Sequence, residues 1–352
     1  MRHQGQASKE KYLVRPLTLD EYKDWDHFVD TSPQGTLFHK AWWLDNVTSG
    51  EPAQVEILGC FDTNGQLVGG LPLCYFPGAN LSLGKFRHPV LTPYLGPILK
   101  DCSSLRMATR IGYQKDILNE LIKALGDCQD ISFGMHYLLT DGQPLLWQGF
   151  TLSVGYTYLL NLQAGIETLW EQTDSRIRND VRRAQKRGLQ VVTTRPFNDF
   201  LEINRLTFER QGLSLPYSNT LLQRIYCAVK QRASGTIFYA ENVERELCGA
   251  VFIVWDSRSA YYLAGGLSPD HKSSGGVTLA LWEAITQMTS RGIHRFDFEG
   301  SDVPGIEMFF RGFGGELVPK LIATRTKSLR ALLERDARNY ARRARDWFSI
   351  GQ

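Results

Sequence analysis

Neither sign of charge dominates this sequence: 40 Lys and Arg stand against 37 Asp and Glu, a net of +3 over 352 residues. A protein that coats DNA needs a broad basic footprint, so DNA is excluded as a partner and any anion site must be local. Long apolar runs are missing as well. No stretch of about 18 apolar residues is available to cross a bilayer, and the opening "MRHQGQASKEKYLV" lacks the apolar core of a signal peptide, which predicts a cytoplasmic location. The six cysteines (60, 74, 102, 128, 227 and 248) make no CxxC pair and no dense framework, which predicts reduced, mostly buried thiols. Seven scattered histidines and the absence of GxSxG leave no Ser/His/Asp arrangement to consider.

What is present is an ordinary globular composition, 43% hydrophobic and 22% charged, in a chain longer than one core usually organises. Two domains are expected. A weak internal repeat supports them: "VEILGCFDTNGQLVGGLPLCYF" (55–76) reads as strand, Asn-Gly turn and strand, and "GTIFYAENVERELCGAVFIVW" (235–255) repeats the pattern. Helical segments precede each hairpin, and one follows each, at 113–125 and 277–292. The expected fold is α/β (α+β), a tandem duplication of one unit with a mixed central sheet flanked by helices. The boundaries fall at 1–160 and 161–325, with a basic amphipathic helix at 326–352.

The stretch "SRIRNDVRRAQKRG" (175–188) places Ile177, Val181 and Ala184 on one helix face and spreads Arg176, Arg178, Arg182, Arg183, Lys186 and Arg187 over the rest. Such a helix is either a solvated face or an anion site, and the arginines, poorly matched by acids, favour phosphate contacts for Arg176, Arg178, Arg182 and Lys186. Further on, "RFDFEGSDVPGIEMFFRGFGGE" alternates so that Asp297 and Glu299 share a strand face at its C-terminal end, ahead of a loop that includes Ser301. Arg311, set among Phe309, Phe310 and Phe313, calls for a partner or an anion. Ser273, Ser274, Gly275 and Gly276 stand where a helix begins, with backbone N–H groups and the positive dipole end available to a phosphate or a carboxylate. Ordinary capping gives the same pattern.

"GFTLSVGYTYLLNL", "RIRNDVRRAQKRGLQV", "FDFEGS" and "GIEMFFRGFGGELVP" occur in the order and spacing of the Fem-type (FemAB-like) aminoacyltransferases, and the chain resembles that family from about residue 37 to Pro319. The resemblance implies two domains of the GCN5-related N-acetyltransferase (GNAT) fold and transfer of an acyl or aminoacyl group, from acyl-CoA or aminoacyl-tRNA, to an amine. No metal is implied. It also implies that basic residues in 176–187, and Arg311 where the family has a lysine, meet substrate phosphates. Two departures stand out. The long helical hairpin associated with tRNA binding has no room between Gly188 and residue 235, and "HKSSGGV" is an imperfect donor signature.

The chemistry asks for a carboxylate to take the ammonium proton, for which Asp297 and Glu299 are the candidates, with Arg311 and the basic helix holding phosphates. Ser301 is assigned to the acceptor, and Ser273 to Gly276 to the donor. The acceptor is expected to be a phosphate-bearing small molecule or a lipid-linked precursor of the cell envelope or a polysaccharide, with tRNA a further partner. The basic helix at 327–348 would suit contact with the inner membrane face. The alternative function is an anion-binding module that keeps the fold without the reaction.

Overall fold

The structure, a computed structural model, describes residues 11–77, 85–126, 128, 130–210, 212–300 and 304–326. Ser301 and the helix expected at 327–348 lie outside the described residues. The chain divides into two compact units, one running to Val154 and resuming at Lys320, the other Gly155–Pro319. The sequence placed the junction six residues later and left the first unit closed. The structure returns the chain to it at Lys320, because the end of the last strand pairs there.

In the first unit β1 (Tyr12–Pro16), α1 (Tyr22–Thr31) and α2 (Ala41–Thr48) precede the hairpin β2 (Gln54–Asp62) and β3 (Leu67–Phe76). Short strands β4 (Lys85–Phe86) and β5 (Ile98–Leu99), α3 (Met107–Ala124), β6 (Asp130–Gly134) and α4 (Gln143–Trp147) follow. The sheet runs β1-β2-β3-β4-β6 and is closed by residues 322–326, which pair antiparallel with β6. Helix α3 turns Ile117, Leu118, Leu121 and Ile122 into the core, the i, i+1, i+4, i+5 stripe of an amphipathic helix.

Strand β7 (Thr151–Asn161) leads into the second unit, which continues with α5 (Ile166–Gln172), α6 (Ser175–Lys186), β8 (Gln190–Val192), α7 (Phe197–Arg210) and α8 (Asn219–Gln231). The hairpin β9 (Gly235–Glu241) and β10 (Leu247–Trp255), then β11 (Ser259–Leu267), α9 (Gly276–Ser290), β12 (Arg295–Asp297), α10 (Pro304–Arg311) and β13 (Glu316–Thr326) complete it. Its sheet order is β7-β12-β11-β10-β9-β8, with only β11 and β12 parallel. Helix α9 is apolar nearly all round, with Leu279, Leu281, Ile285 and Met288 buried, as suits a helix enclosed in a core.

The two hairpins correspond residue by residue. Cys60 faces Gly69 and Phe61 faces Leu67, so Val68 is an extra residue. Ala240 faces Gly249 and Glu241 faces Leu247, so Cys248 is the extra residue at the same place. Their turns also match. Asp62 N–H donates to Gln66 O and Gly65 sits at φ 73°, while Asn242 N–H donates to Glu246 O and Arg245 sits at φ 62°. The Asn64-Gly65 pair is therefore part of a three-residue loop ending in a left-handed residue, not the two-residue turn the sequence suggests. The Asp62 carboxylate accepts from Asn64 N–H and Gln66 N–H, both at 2.9 Å, and this favours the longer loop.

Candidate functional site

Helix α6 forms as its pattern requires. Asp174 caps it, accepting Arg176 N–H at 2.7 Å, Gly188 ends it at φ 80°, and Ile177, Val181 and Ala184 are buried. Its cations divide between two sides. Arg178 reaches Glu171 O at 3.5 Å and Arg182 stands 5.4 Å from the Trp170 ring, while Arg176 and Lys186 are exposed. On the other side Arg183 pairs with Asp180, and Arg187 donates to Ser273 O at the start of α9.

That start is tightly built. Gly275 has φ 79°, and a Cβ there would lie 3.0 Å from Asp180 O and 3.2 Å from the Ala184 Cβ. The buried Ser274 hydroxyl accepts Gly276 N–H at 3.1 Å. Opposite, Gly249 would drive a Cβ to 2.7 Å from Val277 N, so the helix end can sit this close to β10 only because both strand and helix present glycine.

Beside this helix end the sheet opens. Strand β11 pairs with β12 only through Ser259, Ala260 and Tyr261, while its pairing with β10 continues to Leu267. Ser268 N–H donates to Cys248 O across the β10 side, so by strand alternation Leu267 and Gly265 direct their polar groups to the opened edge. Helix α7 takes two of them: Asn204 Nδ2 donates to Gly265 O at 2.9 Å, and Leu267 N–H donates to Thr207 Oγ1 at 2.9 Å. Asn204 is buried and accepts the Tyr217 hydroxyl at 3.0 Å. The Gly265 N–H lies on the same edge. Leu263, facing neither Phe252 nor Ile253, makes a bulge there.

A cavity of about 810 Å³ fills the opening. Its lining includes the polar or small residues Arg183, Lys272, Ser273, Gly275 and Gly276 and the aromatic or apolar Phe208, Tyr217, Tyr262, Ile306, Phe309 and Phe310. Burial pushes the Tyr217 phenol up to about 12. It also pushes up the Tyr262 phenol, helped by the charges of Tyr217 and Glu299. The Tyr262 hydroxyl stands 2.1 Å from where a Cβ on Gly265 would be, so glycine at 265 makes room for it.

The cavity thus takes in Ser273, Gly275 and Gly276 and leaves Ser274 just behind them. It does not reach Arg176, Arg178, Arg182 or Lys186. Asp297 is 1% exposed and is held by the Thr157 hydroxyl and by Glu299 N–H at 2.8 Å. The alternation expected of the two acids stops at Asp297, since Glu299 turns to φ 60° and Gly300 to φ 74°. A Cβ on Gly300 would meet Tyr156 O at 1.9 Å, which fixes glycine at this turn. Arg311, expected amid apolar surface, is exposed at the end of α10, 3.4 Å from Glu307. Glu307 in turn accepts the Tyr158 hydroxyl. Among the described residues no group of three His, Cys, Asp or Glu side chains gathers to hold a metal.

Sequence reading missed Asn204, Thr207 and Tyr262, whose roles depend on which strand edge is left open. Arg183 carried a signal: with Asp180 and Arg187 it forms an i, i+3, i+7 row beside the small Ala184.

Residues 172–311 match the family described as the acetyltransferase (GNAT) domain. No curated protein sequence matches the chain. Among solved structures, FemX is similar at 16% identity over 88% of this chain and 96% of that one, with a TM-score of 0.70. A tandem GNAT protein from the clavulanic acid biosynthesis pathway is similar at 12% identity over 89% and 98%, TM-score 0.50. L-PGS from Bacillus licheniformis is similar at 13% identity over 90% and 95%, also with a TM-score of 0.50. The second unit therefore holds the segment that matches a GNAT acetyltransferase domain, and the chain has the duplicated GNAT fold.

Proposed function

We propose that this acyltransferase moves an acyl or aminoacyl group from a phosphate-bearing carrier to an amine, with the reaction at the opened edge of β11. The observation that carries the reading is the pair of hydrogen bonds from α7: Asn204 and Thr207 occupy Gly265 O and Leu267 N–H, which leaves the Gly265 N–H to a carbonyl oxygen. Arg183, Lys272 and the first N–H groups of α9 would receive carrier phosphates. Glu299 takes the ammonium proton through water, after which the amine nitrogen attacks the carbonyl carbon and the bond to sulfur or oxygen breaks. The Tyr262 hydroxyl, kept protonated by burial, gives its proton to the leaving atom and is restored by the second proton that the nitrogen sheds as the amide forms. Asp297 orients this turn through Glu299 N–H.

Acyl-CoA is the general donor of GNAT domains. Aminoacyl-tRNA is the alternative that the likeness to FemX supports. We place the acceptor among phosphate-bearing or lipid-linked precursors of the cell envelope or a polysaccharide, at the cytoplasmic face of the inner membrane, with Arg311, Arg176, Arg178, Arg182 and Lys186 toward it and Ser301 assigned to it from the sequence alone. Among the described residues no helix is long and apolar enough to cross a membrane. The test is mass spectrometry after incubation with acetyl-CoA or charged tRNA and candidate amines. A mass gain on an amine, lost in Glu299→Gln, supports the reading. No product with either donor, from a protein that binds both carriers, would leave an anion-binding module.

A further inference from the structure

The first unit has a cavity of its own that the proposed reaction does not use. It measures about 930 Å³ and lies along the first turns of α3, against α4 and Leu321 of β13. Volumes of about 300–1,000 Å³ are usual for small-molecule sites. Its mouth carries Met107, Ile111, Leu138 and Leu146, which are between 39% and 62% exposed, and behind them lie Leu139, Leu152 and Leu321. Single exposed apolar side chains need no explanation, but four at the mouth of one cavity mark a contact surface.

The polar lining carries more positive than negative charge. Lys115 is shared by Asp141 at 3.5 Å and Gln143, so that pair is settled within the site. The Asp101 carboxylate accepts Ser103 N–H at 2.8 Å and the Ser103 hydroxyl at 3.2 Å. Lys100 donates to the neutral Gln66 Oε1 at 2.7 Å, and Arg110 to the Met107 sulfur at 3.1 Å. Two cations with neutral partners thus face an apolar recess.

We propose that this cavity binds an anionic single-chain amphiphile, its alkyl or prenyl chain lying against Ile111, Leu146 and Leu321 and its phosphate or carboxylate head meeting Lys100 and Arg110. The site does not depend on the transfer reaction assigned to the second unit.

Calorimetry with decyl phosphate below its micelle concentration tests it, beside inorganic phosphate, decanol and decyltrimethylammonium. The full-length protein should bind one decyl phosphate per chain, at least 10-fold more tightly than any of the other three. Ile111→Glu should weaken binding at least 10-fold and Arg110→Glu about 5-fold, both with unchanged thermal melting, while Leu213→Glu, at a residue that lines the second unit's cavity, changes nothing. If Ile111→Glu does not fold, Leu146→Asp, at a more exposed position, replaces it with the same expectation. No saturable binding, equal affinity for the cationic amphiphile, or loss in Leu213→Glu alone would overturn the site. Binding to anionic phospholipid vesicles without binding of the monomer would make this face a bilayer contact instead, and would equally overturn it.

Discussion

The two units share a hairpin down to its bulge and left-handed turn residue, yet they begin the following helix differently. In the second, α9 starts from Gly275 at φ 79° and its Cβ-free end sits against Gly249. In the first, α3 starts from Arg106 at φ −59°, with Met107 and Arg110 in its first turn, and the approach is made well inside the helix, where a Cβ on Gly69 would lie 2.5 Å from the Ile117 side chain. Where the glycines stand, a helix end and its N–H groups border the cavity. Where they are missing, longer side chains line it. The difference teaches that duplication preserved the scaffold while the residues at one helix start decided what each copy can receive.

The comparison breaks most sharply at the acids. Glu299→Gln should lower turnover by about 100-fold or more, the range of a lost general base, with the carrier's Kd unchanged. Asp297→Asn, which keeps an oxygen for Thr157 and Glu299 N–H, should have the smaller effect. Steady-state kinetics beside carrier titration decides this, and equal turnover in both variants would move proton removal away from this turn.

Next in size is a property of the first unit alone. His88 donates through Nδ1 to Thr92 O and accepts Gly134 N–H at Nε2, both at 2.6 Å, an arrangement that requires the neutral ring. Burial holds it down at about 4, against an ordinary 6.5. The unfolded chain then binds the proton first as pH falls, so the stabilisation is complete above pH 6.5 and is lost toward pH 4, by about 3 kcal/mol at most. Urea unfolding between those pH values should show the loss, and His88→Gln should flatten it.

Asn204→Ala leaves Gly265 O and the Tyr217 hydroxyl without their partner and should cost about 1–3 kcal/mol of stability. It should also loosen the second cavity, so the variant is read by denaturation and by carrier affinity together. Smallest is the outer side of α6. Arg178→Glu with Arg182→Glu should raise the acceptor's KM a few-fold at low salt and less at high salt, where exposed charges are screened. A KM indifferent to both the reversal and the salt makes that side a solvated face.

Most of this comparison was legible in the sequence. The repeated hairpins, the α6 stripe of Ile177, Val181 and Ala184, and the helix start at 273–276 follow from local pattern, and local pattern is what fixes such elements. The opened edge of β11 was not legible. It depends on β12 stopping at Asp297, which the alternation "FDFE" conceals because φ at Glu299 is set by the turn through Gly300. The exposure of Arg311 was hidden for a related reason: an arginine among phenylalanines can still occupy the outer face of a short helix, and Glu307 one turn earlier was the sign of the partner it calls for.

Backbone hydrogen exchange with and without acetyl-CoA or charged tRNA tests the central claim most directly. The account predicts slower exchange in segments containing Leu263–Gly265 and Val277–Thr278, with no change at 98–111 in the first unit. Protection confined to 98–111, or none anywhere with either saturating acetyl-CoA or charged tRNA, would contradict it.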